Sequence, residues 1–257
     1  MKDLLLITPP FTQLNTPYPA TAYLKGFLNT KNISSYQIDL GIEVILEIFS
    51  KKGVTEIFNV KPKNLSENAQ RIFALREEYI KTIDEVIAFL QNKKPTLARQ
   101  ICSMNFLPEA SRFNQLDDME YAFGNMGLQD KAKHLATLYL EDLSDYIIEN
   151  IDENFGFSRY AERLGRSANS FDELYEKLQS DKTFVDNFTL EILDKKLLET
   201  KPKLVCFSVP FPGNLYSAFR CAQYIKNHYP KIKTAFGGGF ANTELRDLKD
   251  KRVFEFF

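Results

Sequence analysis

The chain has 257 residues and a mass of 29.7 kDa, with 44% hydrophobic and 26% charged residues. These proportions suit a globular protein with a substantial core and exclude a collagen-like, coiled-coil or disordered chain. Lys and Arg number 33 against 34 Asp and Glu, a net charge of -1. Without a basic excess or basic stripe, nucleic acid is not an expected partner.

The first run, Leu4 to Ile7, is continuously apolar, as a strand buried on both faces of a parallel sheet should be. Thr8-Pro9-Pro10 stops it, because proline cannot continue a central ladder. After a loop, Pro19 suits the first turn of a helix, and Ala20, Leu24, Phe27 and Leu28 recur at helical spacing. Ser35 to Leu40 reads as a second strand ending at Asp39, and Ile42 to Phe49 as another helix. The Leu4–Ile7 run is too short for a signal peptide.

Between about 61 and 199 the pattern changes. Ile72, Leu75, Tyr79, Ile83, Val86 and Leu90 follow a helical stagger, as do Leu135, Tyr139, Leu143 and Ile147, then Val185, Phe188, Ile192 and Leu193. Asn64 and Asp181 suit helix caps. Asp117-Asp118-x-Glu120 reads as a helix start rather than an acid/base pair.

The strand grammar then returns. Lys203 to Val209 reads as a strand, Pro210 to Asn214 as a loop, and Leu215, Phe219, Ala222 and Ile225 as one helical face ended at Tyr229-Pro230. Ile232 to Phe236 reads as a fourth strand running into Gly237-Gly238-Gly239. The expected fold is an α/β, Rossmann-like or flavodoxin-like doubly wound parallel sheet, with a large all-helical insertion between strands two and three. Residues 1–60 and 200–257 form the α/β part, and 61–199 the insertion. The last residues, Val253 to Phe257, read as the onset of a fifth strand or a buried segment. An end on exposed phenylalanines points to the N-terminal piece of a longer protein.

Cys102, Cys206 and Cys221 are odd in number and widely spaced, so reduced thiols of a cytoplasmic protein are expected. The longest uncharged stretch, Leu204 to Phe219, holds Pro210, Pro212, Gly213 and Asn214 and is no membrane span. His134 reads as a surface or half-buried residue of a charged helix, and His228 as structural at a helix C-terminus. Dinucleotide and phosphate-loop fingerprints are absent.

Right-handed crossovers bring the strand-to-helix loops to one edge, where such sheets bind ligands. The candidate binding residues are therefore the strand-end ones. Thr8, Pro9, Pro10 and Pro19 belong to the first loop, and Asp39 to the second, as a hydroxyl ligand or a helix cap. Ser208, Val209, Pro210 and Asn214 follow strand three. Gly237, Gly238, Gly239, Phe240 and Asn242 follow strand four, where bare glycine backbone lets a ligand approach. No catalytic residue and no metal ligand is assigned.

A serine ending one strand, then a Gly-Gly turn one helix and one strand later, resembles the cobalamin-binding Rossmann-like domain. With Pro9-Pro10, Pro19, Asp39 and Gly237 to Asn242, the chain is most similar to the N-terminal cobalamin-binding domain of radical S-adenosylmethionine enzymes. The resemblance covers 1–41 and 202–247. It implies cobalamin as cofactor, and a C-terminal radical domain as partner carrying a four-iron cluster and S-adenosylmethionine. It also implies methyl transfer or another radical reaction in the full-length enzyme. The cobalt-ligating His of the cobalamin-binding domain is absent after strand one, and the three cysteines lack the C-x-x-x-C-x-x-C spacing. These residues alone are expected to bind without turnover. Two other readings stay open: half of a glycosyltransferase-like enzyme holding a nucleotide sugar, and a non-catalytic scaffold working through its helices.

Overall fold

A computed structural model of the chain describes residues 2–12, 14, 18–62, 64–103, 105–118, 127–162, 164, 170–246 and 248–257. The Asp117-Asp118-x-Glu120 side chains fall outside what is described. Contacts divide the chain into two compact units, Met1–Ile45 with Asn154–Phe257, and Leu46–Glu153.

The first unit holds the sheet. Strands β1 (Leu4–Thr8), β2 (Ser35–Asp39), β3 (Leu204–Ser208) and β4 (Lys233–Gly237) are all parallel, in the order β2-β1-β3-β4. Helix α1 (Ala20–Thr30) joins β1 to β2, which is followed by α2 (Leu40–Ile48). The strand order reverses between β1 and β3, as a doubly wound α/β sheet requires. Leu5, Leu6 and Ile7 are buried, so the continuous apolar run of β1 is covered on both faces. Within β3, Val205 and Phe207 of one face are buried, while Leu204 and Cys206 of the other are half-buried.

The second unit is helical. It contains α3 (Lys51–Asn59), α4 (Glu67–Ala74), α5 (Arg76–Leu90), α6 (Ala98–Ile101) and α7 (Leu128–Asn150). The staggered residues Ile72, Tyr79, Ile83, Val86, Tyr139, Leu143 and Ile147 are buried there. The cap of α4 is Ser66, whose hydroxyl accepts the Ala69 N–H, and not Asn64.

Helices α8 (Asp172–Gln179) and α9 (Phe184–Thr200) resemble the insertion in sequence but cluster with the sheet. The physical reason is Arg220, in the helix α10 (Leu215–His228) that joins β3 to β4. Its buried guanidinium lies 3.1 Å from the Asp186 carboxylate and donates to the Leu178 and Lys177 carbonyls at 2.8 and 3.1 Å. Asp186 also accepts the Tyr216 hydroxyl at 2.8 Å and completes a capping box with Thr183 at the start of α9. Thr183, not Asp181, is therefore the cap, because its hydroxyl and the Asp186 carboxylate satisfy each other's backbone N–H.

The last residues form no fifth strand. They make a 3-10 turn over Lys251–Glu255 that buries Val253 and Phe256 and exposes Phe254. The Phe256 and Phe257 rings pack on Phe219 of α10, at 5.3 and 5.0 Å. Among the described residues, no helix is long and apolar enough to cross a membrane.

In the helical unit, Asp142 of α7 is fully buried and accepts the Ala110 and Arg112 backbone N–H groups at 3.0 and 3.1 Å. Burial pushes its pKa up to about 6, against the pull of those two donors. The folded chain thus holds this proton more tightly than the unfolded chain. Stability should be highest below about pH 4 for this group, and should fall by roughly 1–3 kcal/mol as pH rises to about 6. Urea midpoints at pH 4 and pH 7 should show that fall in the native chain, and its loss in Asp142→Asn.

Candidate functional site

The carboxyl edge gathers the loops after β1, β3 and β4. The loop after β1 is held from below. Thr8 is buried, its hydroxyl 3.4 Å from that of Thr21 in α1, and Pro9 and Pro10 are buried beside it. The Thr12 hydroxyl donates to the Pro9 carbonyl at 3.2 Å. Asn214 is 0% exposed and donates its amide to the same carbonyl at 3.1 Å and to Thr12 Oγ1 at 3.3 Å. It ties the third loop to the first instead of facing a ligand. Its Oδ1 is buried and has no hydrogen-bond partner among the described residues.

The crevice outside β1 and β3, the expected slot at the reversal of strand order, is filled by the chain itself. Phe11 stacks on Tyr160 with ring centroids 4.9 Å apart and meets Phe155 edge-on at 6.2 Å. A Cβ at Gly213 would lie 3.2 Å from the Arg159 backbone. Residues 155–160 thus sit directly on the loops that were expected to hold a ligand. The reason is burial: three large aromatic rings leave water there together.

The glycine turn has a similar explanation. Gly238 has φ +108, and a Cβ there would lie 2.5 Å from the Val209 carbonyl oxygen and 2.7 Å from its nitrogen. The Val209 N–H donates to the Gly237 carbonyl at 2.7 Å, and the Phe240 N–H to the Val209 carbonyl at 3.2 Å. The backbone that approaches Gly238 is therefore the chain's own and not a ligand's. Gly237 differs: a Cβ there meets nothing within 4 Å among the described residues. Ser208 pairs in register with Gly237, so the serine and the turn share one rim.

What stays open is a groove between the third and fourth loops. Pro210, Phe211 and Pro212 form one wall, and Gly239, Phe240, Thr243 and Glu244 the other, around about 500 Å³. Short helix α11 (Gly239–Thr243) carries the second wall. Asn242 is exposed on α11, with its backbone N–H donated to the Gly238 carbonyl at 3.1 Å. Tyr18 lies edge-on to Phe211 at 6.3 Å, which brings the end of the first loop alongside. Pro19 follows as the N-cap of α1, one position earlier than its expected first-turn place.

Asp39 is committed elsewhere. Its Oδ1 accepts the Ile42 N–H at 3.2 Å and so caps the start of α2. Burial raises its pKa, opposed by the backbone donors of Ile42 and Gly41. Of the expected residues, Pro210, Gly239 and Phe240 line the groove. Phe211 and Pro212 belong to the loop read over Pro210 to Asn214 without being singled out as contacts, and Thr243 and Glu244 lie beyond the expected residues. The signal for the first two was present: an aromatic between prolines, straight after a strand, can enter neither sheet nor helix interior.

The groove presents apolar walls, bare backbone and one carboxylate, a surface suited to binding a flat amphipathic molecule. Cys206 is half-buried and Cys221 fully buried, and burial raises both thiol pKa values and keeps them protonated. His228 stacks on Tyr224 at 4.2 Å, and its Nδ1 lies 3.0 Å from the Tyr224 carbonyl. Among the described residues, no group of three His, Cys, Asp or Glu side chains is placed to hold a metal ion. No family model, curated protein or solved structure matches the chain.

The two glycines should separate cleanly. Gly238→Ala should cost about 2–4 kcal/mol in a urea melt, from left-handed strain plus the clash with Val209. Gly237→Ala should change stability by less than about 1 kcal/mol.

Proposed function

We propose that the chain is the cobalamin-binding module of a radical S-adenosylmethionine enzyme, with the groove between Pro210–Pro212 and Gly239–Glu244 as the place where the corrin rests. That groove, open at the carboxyl edge of a doubly wound sheet, is the observation that carries the reading. It lies between the serine-ended strand and the glycine turn on which the family resemblance rests.

The residues present fit the macrocycle at its edge. Pro210, Phe211 and Phe240 offer apolar contact to a flat ring, and Thr243 and Glu244 offer oxygen acceptors to peripheral amide groups. They do not fit a base inserted between β1 and β3, because Phe11 and Tyr160 occupy that position. When bound, cobalamin supplies a cobalt centre able to take part in methyl transfer. The chain's own part is to hold the ring, with Gly238 locked to Val209 so that the two walls keep their separation. A separate radical domain would supply the four-iron cluster and S-adenosylmethionine.

Incubation with hydroxocobalamin followed by gel filtration should leave corrin absorbance co-eluting with the protein. Phe211 is 49% exposed, so Phe211→Ala should leave the melting temperature unchanged. It should weaken retention about ten-fold, or ~1.4 kcal/mol. A nucleoside diphosphate should give no thermal shift. Absence of retained corrin at high protein concentration would overturn the proposal, and stabilisation by the diphosphate instead would favour a nucleotide-sugar site.

A further inference from the structure

The two faces of the sheet are covered unequally. The Thr8–Thr21 hydroxyl contact puts Leu4, Leu6 and Thr8 on the α1 face, since side chains alternate along a strand. The parallel register carries that face to Leu204, Cys206 and Ser208 of β3, and on to Lys233, Ala235 and Gly237 of β4. Residues of the opposite face, Val205 and Phe207, are buried.

β3 is an interior strand, and interior parallel strands are buried on both faces. Yet Leu204 and Cys206 are only half-buried, and Lys233 and Ala235 are exposed. Helix α1 packs on β1 and β2 and buries only Thr21. Of its residues at helical spacing, Ala20 and Leu28 are half-buried, but Leu24 and Phe27 are 47% and 59% exposed, and the adjacent Tyr23 is 77% exposed. A helix is about 10 Å across, the width of two strands some 4.8 Å apart. The uncovered β3–β4 half is therefore one helix wide.

We propose that this half-face docks an amphipathic helix of a partner protein, running antiparallel to the strands with an acidic last turn. The crossover helices α1 and α10 run back from the carboxyl edge to the amino edge by chain connectivity. A partner's helix has no such tether, and its direction is set by the charge it meets at the amino edge. The C-terminal end of the docked helix would then lie at the amino ends of the strands. Among the described residues, two cations without an ion pair lie there: Lys233 begins β4, and Lys31 follows α1 with its Nζ 5.6 Å from the Phe27 ring centroid, while the Asp3 carboxylate before β1 is neutralised by Lys203 at 2.7 Å. Lys233 and Lys31 suit the negative end of a helix dipole and a carboxylate beside it. A second copy of this chain is disfavoured as occupant, because its α1 would bring Lys25 and Lys31 against Lys233.

The test uses a synthetic amphipathic peptide of about 15 residues, long enough to span the sheet as a helix. It carries a leucine stripe and glutamates in the last turn; a twin carries lysines there. The protein is the full chain with Cys102→Ser, and the readouts are fluorescence anisotropy and the labelling rate of Cys206. The glutamate peptide should bind at least ten-fold more tightly than its twin and slow Cys206 labelling several-fold. Lys31→Glu with Lys233→Glu should invert the preference, and Leu24→Asp should weaken both peptides. Equal affinity, no binding, or binding that leaves Cys206 labelling unchanged would overturn the proposal. So would a dimer that protects Cys206 without peptide.

Discussion

The carboxyl edge of this sheet is organised by a single backbone contact, that between Gly238 and Val209. Two reciprocal hydrogen bonds, Val209 N–H to the Gly237 carbonyl and Phe240 N–H to the Val209 carbonyl, fasten the fourth loop to the third. Only glycine allows it, since a Cβ would lie within 3 Å of three Val209 backbone atoms. Everything at the rim follows. The turn into α11 is set, the wall holding Phe240 stands opposite Pro210–Pro212, and the groove between them has a defined width. A position that looked like a ligand's approach is the hinge pin of the site.

A second constraint works beneath it. The buried Asp186–Arg220 pair sits in low-dielectric surroundings, where unpaired charge is costly, and every polar arm of it is used. Arg220 holds the end of α8 by its carbonyls, and Asp186 caps α9. The two helices preceding β3 are thereby fastened to α10. The same region sends Phe155 and Tyr160 over the loops after β1 and β3. Closing that crevice shifts the open binding surface one loop along, to the β3–β4 side. The proposed ligand site is thus displaced from the position that strand order alone would assign.

The unequal covering of the sheet gives the molecule a second unsatisfied surface, on a different side from the groove's walls. A half-buried Cys206 in an interior strand, beside an α1 that exposes its aromatic residues, is hard to reconcile with an isolated parallel sheet. The groove and the bare half-face differ in chemistry, and so do the occupants proposed for them, a flat small molecule and a helix. Both depend on the same β3 and β4.

Much of the fold was legible in the residues, because strands buried on both faces must be apolar throughout and prolines and glycines must punctuate them. Leu4 to Ile7 and Lys203 to Val209 declared themselves as apolar runs; Ser35 to Leu40 and Ile232 to Phe236 were legible from the turns and helices that bound them, and the helical stretch between strands two and three from its periodicity. Local rules also marked Pro210, Gly239 and Phe240, which line the groove. Caps were less legible: Ser66 and Thr183 won over Asn64 and Asp181 because a cap is decided by which side chain reaches a free N–H. Only the tertiary structure decided that Asn214 faces Pro9, that Phe11 and Tyr160 close the central crevice, and that Gly238 serves Val209. It also decided that Leu24 and Phe27 of α1 stay exposed. These are contacts between residues far apart in sequence, and a one-dimensional pattern records that a residue is apolar, small or polar without recording which distant partner will satisfy it.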